Sequence, residues 1–153
     1  MPNPTLHGLE RPINANVNPS SMSLRSLHIW VGVLGTLAFL ATGLYMAFNF
    51  PELYGDREAV RYMFRANHAY ILLASLINIA LGIYRTNARA GWRGMLASTG
   101  SALLLAAPFV LLFAFFFEAP RGTPERIVTT LGILMLLLGV LAQWPNRPPK
   151  PST

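Results

Sequence analysis

Four apolar stretches alternate with short polar segments along this chain, running roughly over 27–48, 66–84, 94–117 and 127–144. None has an Asp, Glu, Lys or Arg in its interior. About 20 apolar residues in a helix span a hydrocarbon core of about 30 Å. The pattern therefore predicts four transmembrane helices, and with them an all-α integral membrane protein built as a four-transmembrane-helix bundle. The implied organisation is a Pro/Asn-rich tail over 1–23, a helical domain over 24–144 and a Pro-rich tail over 145–153.

Local signals refine the helix ends. Asp56 is a suitable N-cap, and helix formers follow from Arg57 to Phe64, so the second helix is expected to begin ahead of its apolar part. The third carries Pro108 near its middle, which frees a carbonyl that neighbouring groups must satisfy. Phe113, Phe115, Phe116 and Phe117 close it and read as lipid-facing or interfacial. For the fourth helix Thr123 reads as the cap, Pro124 as the first position and Glu125 as a favourable charge for the helix dipole. Pro145 stops it. His28, Gly32, Gly35 or Thr36, and Gly43 fall near one face of the first helix, and Gly132 and Gly139 share a face of the fourth. Small residues let helices approach closely in lipid.

Composition agrees with a membrane chain: 53% of residues are hydrophobic and 12% charged, where soluble domains carry about 25% charged. There is no cysteine, which excludes disulfides, thiolate metal sites and covalently attached haem. The net charge of +6 has a topological explanation, so nucleic acid is not an expected partner. Arg11, Arg25, Arg85, Arg89, Arg93, Arg147 and Lys150 fall on one side if all four helices cross. Arg57, Arg61, Arg65, Arg121 and Arg126 fall on the other, among Glu52, Asp56, Glu58, Glu118 and Glu125. The basic excess puts both termini in the cytoplasm. Trp30, Trp92 and Trp144 fall at that same interface, the depth that indole prefers. The opening Pro2, Asn3 and Pro4 do not read as a secretory signal. With the short loops, this points to a multi-pass protein of a bacterial inner membrane.

Ionisable residues inside membrane helices are costly and are functional candidates by default. Here they are His28 and His68, as ligands to haem b or as contacts to a quinone. They enter the membrane from opposite faces on antiparallel helices, roughly 20 Å apart in depth, so one iron does not reach both. His68 also ends a basic, hydrogen-bonding stripe of Arg57, Arg61, Arg65 and Asn67, suited to an anionic lipid headgroup, a quinone carbonyl or an acidic partner. The competing expectation is that nearby carboxylates neutralise those arginines. Asn78 and Ser75 complete a polar stripe along the second helix, and an amide at that depth needs a partner on a neighbouring helix or a cavity. No metal site and no catalytic constellation is legible.

The leading expectation is a small non-enzymatic accessory or assembly subunit of a larger membrane complex, in contact with lipids and with other membrane subunits or copies of itself. One alternative is a redox-associated subunit that binds haem b or quinone through His28 or His68. Another is a self-associating channel or transporter with Ser75 and Asn78 along its path.

Overall fold

The computed structural model describes residues 23–84, 91–122 and 124–144. Residues 1–22 of the predicted N-terminal tail, the predicted C-terminal tail, Thr123, and the basic residues Arg11, Arg85, Arg89, Arg147 and Lys150 lie outside them. The described chain forms α1 (Leu24–Leu53), α2 (Glu58–Tyr84), α3 (Trp92–Phe117), a short 3-10 turn (Ala119–Arg121) and α4 (Ile127–Gln143). α1, α2 and the helical unit that starts at Trp92 are long and apolar enough to cross a membrane, whereas α4 has 17 residues.

The helices outrun their apolar stretches where polar groups support the ends. Ser23 Oγ accepts the amide of Ser26 at 3.2 Å, which starts α1 three residues early. At its other end α1 continues through Pro51 to Leu53. Proline there removes one amide within the last turns, and the helix closes with Tyr54 N–H donating to the Phe50 carbonyl at 3.2 Å. α2 begins at Glu58, close to the start expected from Asp56.

Packing runs in chain order. α1 lies against α2, α2 against α3, and α3 against α4, while α1 and α4 do not touch. α1 also reaches α3, and α4 reaches α2, so the helices form a staggered ribbon, open between α1 and α4, with α2 and α3 in the middle. Glycine permits the two outer contacts. A Cβ on Gly32 would stand 2.8 Å from the Ser75 carbonyl oxygen and 2.9 Å from the Ile79 amide nitrogen, and one on Gly35 would overlap the Ser75 hydroxyl. At the other edge, a Cβ on Gly100 would stand 2.9 Å from the Gly139 carbonyl, and one on Gly139 would be 3.0 Å from the Gly100 carbonyl. At Gly32, Gly100 and Gly139 these are approaches to neighbouring backbone that leave no room for a larger side chain.

The core forms where α2 meets α3: Phe64, Ile71 and Ala74 pack with Leu104, Leu111 and Phe115. The reading of the closing phenylalanines as uniformly outward-facing is corrected here. Phe115 is 0% exposed, in edge contact with Phe64 at 4.9 Å and with Tyr45 at 5.9 Å. Phe113, Phe116 and Phe117 do face outward. Four aromatic residues within five positions cannot all lie on one side of a helix, because successive residues turn by about 100°.

The start of α4 also differs from the sequence reading. Its first residue is Ile127, so Pro124 precedes the helix. Arg126 occupies the N-cap position and makes no side-chain cap bond. The cap comes from across the turn, from Glu118 at the end of α3.

Candidate functional site

Asn78 organises the middle of the ribbon. It is fully buried. Its Nδ2 donates to the Ala74 carbonyl at 2.9 Å and to the Leu104 carbonyl at 2.7 Å. Leu104 is four residues before Pro108, so its carbonyl is the one that proline deprives of an intrahelical partner. The amide of α2 thus supplies the donor missing from α3. With both N–H bonds in use, Asn78 Oδ1 is left to accept from His28 Nδ1, 2.7 Å away. This fixes the proton of His28 on Nδ1 and ties α1 to the same centre. Ser75, one turn back, donates to its own helix at the Ile71 carbonyl, 2.7 Å away. Ser75, Asn78 and His28 are each 0% exposed. Ser75 and Asn78, expected along a transport path in one reading of the sequence, lie on the buried side of α2.

A second polar cluster joins α2, α3 and α4. Glu118 accepts the Val128 amide through Oε1 at 3.0 Å and the Thr129 amide through Oε2 at 2.9 Å. Val128 and Thr129 are the second and third residues of α4, whose amides have no partner within the helix. A carboxylate there also meets the positive end of the helix dipole. Thr129 Oγ1 contacts Glu118 Oε2 as well, and lies 3.0 Å from Asn67 Oδ1. Arg126 donates to the same Asn67 oxygen. Asn67 therefore faces α4, with 0% exposure, and does not belong to the arginine stripe expected from the sequence. Because Asn67 and His68 are neighbours, they are about 100° apart around α2.

His68 sits on the α1 side. Thr42 Oγ1 donates to the Phe39 carbonyl at 2.9 Å, so it accepts from His68 Nδ1 at 2.9 Å. The imidazole stacks on Phe39 with centroids 3.9 Å apart and planes 19° from parallel. Its Cε1 and Nε2 edge faces Gly43, where a Cβ would stand 3.2 Å and 3.6 Å from those atoms. His28 pairs with a residue ten positions beyond His68 on α2, a rise of about 15 Å. The two histidines are thus held at different levels, each with its own polar partner.

Of the expected basic stripe, Arg61 and Arg65 line one groove beside α1. Arg57 instead lies near the turn after α3, with a guanidinium nitrogen 3.7 Å from where a Cβ on Gly122 would be. Among the described residues neither Arg61 nor Arg65 makes a direct ion pair with a carboxylate, although both share a hollow with Asp56 and Glu58. At the opposite end of the ribbon, Arg25 Nε donates to the Gly82 carbonyl at 2.7 Å, placing a cation on the negative end of α2.

Sequence reasoning did not anticipate the roles of Glu118, Thr129, Arg126 and Thr42. Glu118 offered one sequence signal, an acid directly after an aromatic run and nine residues before a helix start. Nothing local shows that Thr42 meets His68. Compared with protein-family models, curated proteins and solved structures, the chain matches none of them.

Proposed function

We propose that this chain is a multi-pass membrane protein acting as a non-enzymatic accessory or assembly subunit of a larger membrane complex. The observation that carries the reading is the use to which the inward polar groups are put. His28 and Asn78 bind one another and the carbonyl released by Pro108, and Asn67, Thr129, Arg126 and Glu118 bind one another across three helices. Asn78 has both its N–H bonds and its oxygen engaged. The cluster of Asn67, Thr129, Arg126 and Glu118 joins three helices while leaving Asn67 Nδ2 and Arg126 Nε without a hydrogen-bond partner. Most of these inward polar contacts fix helix positions, which is the chemistry of a scaffold. The open ribbon adds to this. Its two outermost helices, α1 and α4, leave long apolar faces bare, with Leu37, Leu40 and Leu44 on one and Leu134, Leu138 and Leu141 on the other.

Four crossings, with both termini on the cytoplasmic side, fit this arrangement. α4 is short, but Gln143 Nε2 reaches the Ala97 carbonyl at 2.9 Å near the start of α3, and Glu118 reaches back from the end of α3. Those contacts cover 21 residue steps of α3, about 32 Å. Trp30, Trp92 and Trp144 are all exposed at the end where α1 and α3 begin and α4 finishes. They form the interfacial belt expected on the cytoplasmic side of a bacterial inner membrane.

Native mass spectrometry of the protein extracted gently from its own membrane tests the reading. Association with other polypeptides at fixed stoichiometry is the expected result. A chain that leaves its membrane only as a monomer or as a homo-oligomer refutes the accessory role.

A further inference from the structure

Between the last turns of α1 and the first turns of α2 lies a shallow groove of about 380 Å³. Its apolar wall is Gly43, Met46, Ala47 and Phe50, and its polar wall is Arg61 and Arg65. Gly43 lines the groove without a side chain, and a Cβ there would stand 3.2 Å from His68 Cε1. Arg65 is exposed and Arg61 half-buried. Arg61 Nε is buried without a hydrogen-bond partner, and NH1 makes only a long contact, 3.4 Å, with the Gly55 carbonyl. Arg61 and Arg65 also border a second hollow, which they share with Asp56 and Glu58, and neither arginine makes a direct ion pair with those carboxylates.

Two cations one helical turn apart, neither directly ion-paired among the described residues, border an apolar channel as well as the hollow they share with Asp56 and Glu58. They stand where α2 passes from its charged first turns into its apolar stretch. That is the depth of a lipid phosphate when the helix crosses a bilayer. We propose that this groove is a binding site for one anionic phospholipid. Arg61 and Arg65 bridge the phosphodiester and the first acyl carbons lie along Gly43, Met46, Ala47 and Phe50. A neutral quinone would leave both cations unmatched. A zwitterionic lipid brings a cationic amine to the same two guanidinium groups. The proposal rests on the chain being embedded in a membrane and is independent of its being an accessory subunit.

Native mass spectrometry of the full chain, titrated with phosphatidylglycerol and with phosphatidylcholine of the same acyl chains, tests it. A basic side chain near an anionic membrane surface contributes about a fivefold preference. Wild type is expected to retain one phosphatidylglycerol in preference to phosphatidylcholine by more than tenfold. Arg61→Gln and Arg65→Gln should each lower that preference about fivefold, Gly43→Leu should weaken binding of both lipids, and Arg57→Gln should change nothing. Equal binding of the two lipids, or a preference that survives the Arg61→Gln/Arg65→Gln double variant, overturns the proposal. So does an equal loss in Arg57→Gln, which would mean a diffuse charge effect. Displacement of the lipid by inorganic phosphate alone would mean a site for the anion only. A Soret band that follows the protein through purification, disappears in His68→Ala and is lost as phosphatidylglycerol binds would assign the site to haem and overturn the proposal. Flotation with vesicles separates the two levels of the reading: a chain that does not float fails the membrane assignment itself, whereas one that floats without lipid preference fails only the groove.

Discussion

The contact between Asn78 and the carbonyl of Leu104 makes a quantitative prediction through a double-mutant cycle. Asn78→Ala removes the donor that answers the Leu104 carbonyl and the acceptor for His28 Nδ1. Both groups are then left in a site with no exposure. Leaving a buried polar group without its partner costs about 1–3 kcal/mol, while interhelical hydrogen bonds in membrane proteins average about 0.6 kcal/mol and reach about 1.7. A loss of about 2–3 kcal/mol is expected for Asn78→Ala in the wild-type background. Pro108→Ala restores a backbone N–H four residues after Leu104, so that carbonyl regains an intrahelical donor. In the Pro108→Ala background the Asn78→Ala change should cost about 1 kcal/mol less, because only the His28 bond is then lost without replacement. The assay is reversible unfolding in mixed micelles, with helicity as the signal, for the wild type, both single variants and the double. Additivity within about 0.3–0.5 kcal/mol, the scatter of independent sites, would refute the coupling. The amide of α2 would then not be standing in for the donor that proline removed.

Two further variants test the core and the α4 cap. Phe115→Ala should destabilise the protein by about 3–5 kcal/mol, as expected for a fully buried aromatic, and Phe117→Ala, 56% exposed, should cost much less; the same micelle unfolding reads both, and equal costs would mean that Phe115 is not in the core. Glu118→Gln keeps acceptor oxygen but removes the charge at the α4 N-terminus, with an expected loss of about 1–2 kcal/mol; amide hydrogen exchange at Val128 and Thr129 should rise, and unchanged protection there would contradict the cap.

Much of the helical architecture was legible in the sequence. Long uncharged stretches can satisfy their backbone groups internally as helices while presenting apolar side chains outward. The start of α2 near Asp56, the glycine faces of α1 and α4, and the demand that Pro108 places on a neighbour all follow from local chemistry. The same reasoning failed wherever partners had to be chosen. The run Phe113–Phe117 is apolar throughout, so nothing in it distinguishes the core-facing Phe115 from its neighbours. The cap of α4 was sought in Thr123 and Pro124, but a helix N-terminus accepts any suitably placed anion, and folding brought Glu118 there from another helix.

The sequence by itself determined the elements, their polarity and the positions at which polar groups would be buried, because those depend on composition, spacing and backbone chemistry over a few residues. Only the tertiary structure decided that Asn78 answers both Pro108 and His28, that Asn67 faces α4, and that Arg61 and Arg65 share a groove beside Gly43. Those outcomes depend on the rotation of each helix about its own axis and on which helices become neighbours. Both are settled by close contacts such as Gly32 on Ser75 and Gly100 on Gly139, between residues far apart in the chain.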